Sequence, residues 1–131
     1  MTAIGIELAG NSLTYVLVDR IPEGLSIRSY SRIALLDARN PDSLRAFQAA
    51  LNAVLTEAKP DLIALKDKPQ SGGMKAGAAA IKMEAILLLA TPCGVRFVTG
   101  AAINNCSAPV DGLKKYAQPA FKAAAVELLK D

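Results

Sequence analysis

Histidine is absent from the chain, and that absence narrows the chemistry more than any residue present. Without an imidazole there is no Ser-His-Asp or Cys-His nucleophile pair and no imidazole metal site. Any catalysis would rest on carboxylates, lysines, a tyrosine or a hard cation held through oxygen. Cysteine is scarce as well. Cys93 and Cys106 match no metal-clip spacing, and a chain able to bury an ample core has no need of a disulfide, so both are read as reduced thiols. Long apolar runs are also missing. The longest, Ala85 to Ala90, falls far short of the roughly 20 residues that a membrane span requires, and no basic segment followed by an apolar one opens the chain. These absences lead to the expectation of a soluble cytoplasmic protein.

What is present describes one domain. At 131 residues, 52% hydrophobic and 21% charged, the chain is long enough to bury a real core, and residues 1–131 are expected to form a single unit. A net charge of +3 permits an anionic partner without requiring one, because a solvated positive surface has the same balance.

Ala3 to Leu8 reads as a central strand with the carboxylate of Glu7 set in an otherwise apolar stretch. Ala9 to Ser12 is a tight turn, and Leu13 to Arg20 the antiparallel partner. A buried carboxylate without a partner is expensive, so Glu7 is expected to face a cation, a hydrogen-bond donor or a site. After the turn Ile21 to Gly24, Leu25 to Leu35 alternates with period two. One face carries Leu25, Ile27, Ser29, Ser31, Ile33 and Leu35, and the other Ser26, Arg28, Tyr30, Arg32 and Ala34. That second face suits charge guarding an edge strand, or a contact surface for phosphate and base.

Asn40 caps a helix with Pro41 at its first position, and Leu44, Phe47, Leu51, Val54 and Leu55 share one face of it. Asp61 to Leu65 is a short strand, apolar without a break, expected beside the first strand in the sheet interior. Lys66 to Lys75 is a polar loop with Gly72 and Gly73, read either as an anion-holding loop or as a solvated connector. Ala76 to Ala90 is a helix apolar nearly all round, with Lys82 and Glu84 its only charges, so it is expected to be covered on more than one side. Val95 to Val98 is a final strand, and Thr99 to Gly112 an irregular connection. Leu113 to Tyr116 suits a helical turn before a last helix from near Pro119.

Three antiparallel strands, then helix, strand, helix, strand, helix, imply an α/β fold. The sheet is five-stranded and mixed, in the order 3-2-1-4-5, with helices on both faces. This order, with an acid on the first strand, resembles the ribonuclease H-like fold over essentially the whole chain. Within that superfamily the chain resembles the RuvC-type Holliday-junction resolvases, and more closely a family of uncharacterised bacterial proteins of the same fold. The residues carrying the resemblance are Gly5 to Asn11, Ser71-Gly72-Gly73 with Ala79 to Ala85, and Lys114-Lys115-Tyr116 through Ala120-Phe121. A glycine-containing first hairpin with a strand-centre acid is also similar to the sugar kinase, actin and chaperone ATPase superfamily, but those proteins close two such domains around a cleft.

The resolvase resemblance implies a magnesium-dependent nuclease whose carboxylates come from the first strand, the end of the fourth and the last helix. Glu7 falls at the first position. At the second stands Lys66, with Asp67 as its neighbour, and at the third stand Gln118 and Pro119, leaving Asp111 upstream. Candidate catalytic residues are therefore Glu7, Asp67 and Asp111, with Glu7 and Asp67 as metal ligands. A lysine at a metal-ligand position would instead pair with Glu7. Candidate anion-binding residues are Lys66, Lys68, Lys75, Arg28 and Arg32. The combined expectation is a ribonuclease H-like, RuvC-related domain binding nucleic acid or another polyanion, with nuclease activity weak or absent. Its rivals are a homodimeric interaction module with a lost site, and a working magnesium nuclease. A homodimer through helix 76–90 is expected in either binding reading.

Overall fold

Both faces of the first strand are buried, as its almost continuous apolar sequence requires. In the computed structural model, which describes residues 1–68 and 77–130, this strand β1 (Thr2–Ala9) lies at the centre of a five-stranded sheet. It pairs antiparallel with β2 (Ser12–Ile21), which pairs antiparallel with β3 (Gly24–Ala34). On its other side it pairs parallel with β4 (Leu62–Lys66), which pairs parallel with β5 (Gly94–Val98). The resulting order, β3-β2-β1-β4-β5, is the one anticipated from the sequence.

Two helices cover one face. Asn40 accepts from the amides of Asp42 and Ser43 through its side chain and so starts α1 (Pro41–Ala58), satisfying two donors that the helix leaves open. Phe47, Leu51 and Leu55 of α1 meet Ala80, Met83 and Leu87 of α2 (Ala78–Ala90) over Ile4, Ile6, Leu8, Ile63 and Leu65. The opposite face is covered mainly by α4 (Gln118–Leu128), whose alanines allow close approach. Ala120, Phe121, Ala124 and Leu128 pack on Ala3, Val16 and Val18. The connection expected to be irregular contains a short helix, α3 (Gly100–Asn104), which Thr99 caps through its hydroxyl. The helical turn expected at 113–116 falls at Lys115–Ala117, as 3-10 helix running directly into α4.

The alternation expected along β3 is corrected by a bulge. Leu17 lies opposite Ser29 and Val18 opposite Ile27, so Arg28 is an extra residue with no partner of its own. One inserted residue moves everything beyond it to the other side of the sheet. Leu25, Ile27 and Tyr30 consequently all pack on the α4 side, while Ile33 and Leu35 join the α1 side.

The apolar circumference of α2 is only partly covered by its own chain. Met83 and Leu87 are fully buried, whereas Ile81, Leu88 and Leu89 are 44%, 42% and 84% exposed. Among the described residues no helix is long and apolar enough to cross a membrane.

Candidate functional site

Alternation sends Ala3, Gly5 and Glu7 to the α4 side of β1, and the neighbouring strands extend this row across the sheet. Thr14 of β2 is the cross-strand partner of Glu7, and Arg32 of β3 is the partner of Thr14. Lys66 ends β4 one step beyond the Ile6–Leu65 pair, which sets it beside Glu7. Four polar side chains, Lys66, Glu7, Thr14 and Arg32, thus run in a line over β4, β1, β2 and β3.

The centre of the row is an ion pair. Lys66 Nζ donates to Glu7 Oε2 at 3.0 Å, with the side chains 28% and 16% exposed. The cation that a strand-centre carboxylate requires is therefore supplied from within the chain, 59 residues away in sequence. At the β3 end of the row, the Arg32 guanidinium lies over the Tyr116 ring, 3.5 Å from its centroid. Tyr30 completes the group, its ring centroid 6.1 Å from that of Tyr116 and tilted by 59°. Tyr116 reaches this place because the 3-10 turn ahead of α4 packs against β2.

The other candidate residues are not gathered here. Asp67 is exposed, and its amide donates to the Val98 carbonyl at 2.8 Å, prolonging the β4–β5 ladder. Pleated pairing sends it to the face opposite Lys66. Asp111 is exposed beside Glu23, Gly24 and Leu25, at the end of the sheet where β2 turns into β3. That is the far end of β1 from Glu7, since Arg20 of β2 bonds back to the Met1 carbonyl. Lys68 is partly exposed just past β4. Lys75 and the Ser71-Gly72-Gly73 segment lie outside the described residues.

Arg28 is engaged elsewhere. Its Nη2 and Nε reach Asp19 at 2.9 and 3.2 Å, Nη2 also reaches the Thr2 hydroxyl, and Nη1 points at the Ala58 carbonyl. Asp19 pairs with Thr2, five residues up β1 from Glu7, so this network lies about 17 Å from the Glu7 row. The hydrogen bond from the Thr2 hydroxyl holds the Asp19 carboxyl below its usual range, with Arg28 adding to it and burial opposing. The bulge separates Arg28 from Arg32, which explains why an unbroken alternation had placed both on one basic face.

The magnesium site implied by the resemblance does not fit the side chains present. An ammonium stands 3.0 Å from the one strand-centre carboxylate, where a cation's own positive charge would be repelled. Among the described residues no three His, Cys, Asp or Glu side chains are grouped so as to hold a metal. Sequence reasoning placed Tyr30 on one face with Arg32 but missed Thr14 in the row and Tyr116 beside it. Thr14 carried a usable signal, as a polar residue in step with Val16 and Val18 on an inward face, whereas Tyr116 had none.

Sheet order, the acid on the first strand and helices on both faces define the ribonuclease H-like fold of the RuvC-type resolvases. The RuvC of T. thermophilus, solved in complex with a Holliday junction substrate, matches with a TM-score of 0.67 and 13% identity over 96% of this chain and 91% of that one. The Fowlpox virus resolvase, solved with Holliday junction DNA, matches at 0.58 and 13% over 99% and 100%. The yeast mitochondrial resolvase Ydc2 matches at 0.53 and 13% over 74% and 50%. No curated protein matches the chain in sequence. The chain belongs to the family described as "Protein of unknown function (DUF3010)", which matches residues 1–127.

Proposed function

We propose that this protein is a RuvC-related domain that binds nucleic acid through the α4 side of its sheet and cleaves it weakly or not at all. The observation that carries the reading is the Lys66–Glu7 pair at 3.0 Å, which neutralises the one carboxylate that the fold places at its centre. The likeness to proteins solved with junction DNA supports nucleic acid as the partner. Lys68 and Arg32 lie at the carboxyl end of the sheet and supply positive charge, whereas Lys66 is paired with Glu7 and Arg28 with Asp19. We place the protein in the cytoplasm.

The exposed stripe Ile81, Leu88 and Leu89 on α2 favours a second element of the reading, a homodimer through that helix. A homodimeric interaction module without nucleic-acid binding is the rival that this stripe would equally serve.

The test is competitive binding of junction, single-stranded and duplex nucleic acids across a salt series, followed by incubation with magnesium. Binding that falls steeply with salt, without cleavage, is expected. Absence of binding at low salt would remove nucleic acid and leave the interaction module. Magnesium-dependent cleavage lost on Glu7→Gln would instead establish a nuclease that depends on Glu7.

A further inference from the structure

The two arginines of β3 are used in opposite ways. Arg28 is held by a carboxylate, a hydroxyl and a carbonyl, so its donors are spent within the fold. Arg32, four residues on, is exposed, and among the described residues no carboxylate lies within ion-pair distance of it. One face of its guanidinium lies on Tyr116 and the side chain remains open to solvent. Lys114 and Lys115, immediately before Tyr116, are exposed too, and the described residues give neither an acidic partner. Two lysines with no acidic partner among the described residues therefore accompany a flat cation on an aromatic ring, backed by Tyr30.

A planar guanidinium already stacked on a ring is rigid and offers its second face to another planar group. The group that combines such a plane with negative charge is a nucleotide. We propose that Arg32 and Tyr116 form a stacking site for one unpaired base of a nucleic-acid strand, with Lys114 and Lys115 taking the adjoining phosphates. This deepens the proposed function and rests on its nucleic-acid reading. Two strand spacings separate Arg32 from Glu7, so the stacked base would lie about 10 Å from the Lys66–Glu7 pair. The site selects unpaired nucleotides because a base within a duplex has no free face to offer.

The experiment compares an oligothymidylate with an abasic strand of equal length, which keeps the phosphates and removes the bases. The chain has no tryptophan and three tyrosines, so its emission comes from tyrosine alone, and the part of the signal lost in Tyr116→Leu reports on that ring. The native protein is expected to prefer the base-bearing strand by roughly 5- to 150-fold, with quenched tyrosine emission. Arg32→Lys keeps the charge and removes the plane, so it should bring the ratio of base-bearing to abasic affinity down to about one. Tyr116→Leu should do the same, and if it unfolds the protein, the Arg32→Lys comparison decides alone. Equal binding of both strands by the native protein, or a preference that survives Arg32→Lys, overturns the stacking site and leaves nucleic-acid binding standing. Failure to bind either strand at low salt overturns both.

Discussion

A Cβ placed on Gly5 would stand 1.8 Å from the carbonyl oxygen of Ala120, so α4 rests directly on the backbone of β1. This contact puts the 3-10 turn and Tyr116 within reach of the Glu7 row. Gly5→Ala must displace a main-chain carbonyl rather than a flexible side chain, and is expected to cost at least about 3 kcal/mol. Gly94→Ala, where an added Cβ meets nothing within 4 Å, should change stability by no more than about 0.5 kcal/mol. Urea unfolding of both variants checks the contrast, and equal midpoints would mean that α4 does not seat on Gly5.

Removing Lys66 leaves Glu7 without its cation. Lys66→Met is expected to cost about 2 kcal/mol, below the roughly 3–5 kcal/mol of a fully buried broken pair because both side chains retain some water contact. Adding Glu7→Gln to Lys66→Met should recover much of the loss, since no charge is then left uncompensated. A double variant as unstable as the sum of the singles would show that the two groups are uncoupled.

Asp19 links stability to pH. Its carboxyl is held below the usual range by the Thr2 hydroxyl first and by Arg28 after it. A carboxylate depressed in the folded state stabilises at pH values above its unfolded pKa of about 3.9, and that contribution disappears as pH falls through the lower folded value. In this window the unfolded chain binds more protons, so stability rises with pH. Chemical denaturation between pH 7 and pH 3 should show Asp19→Asn losing less stability than the native protein over that interval. Parallel curves would remove Asp19 from the acid response.

Leu88 is 42% exposed, so a charge there faces outward instead of entering the core. If α2 forms the homodimer, Leu88→Glu should convert dimer to monomer in analytical ultracentrifugation at micromolar concentration, with a melting temperature changed by only a few degrees. A two-fold interface burying on the order of 1,000 Å² or more is expected of the native dimer. A native protein that sediments as a monomer would sink this prediction without touching the nucleic-acid reading.

Local sequence was enough for features governed by local physics. Asn40 and Pro41 start α1 as expected, because a cap depends only on the next few amides. The strand order followed from short connections and the handedness of crossovers. The need of Glu7 for a cation was legible because burying a lone carboxylate is costly anywhere, and the apolar girth of α2 was legible from its composition. Only the tertiary structure decided what those residues meet. The bulge at Arg28 depends on how Leu17 and Val18 seat against β3, so nothing in the period-two pattern of β3 announces it. That single extra residue gives Arg28 to Asp19 and turns Tyr30 and Arg32 toward Tyr116. Asp111 lies at the far end of the sheet for a similar reason, since a long connection takes its course from the surface it crosses. Sequence alone could name the charges; only the register of the strands determined which of them are neighbours.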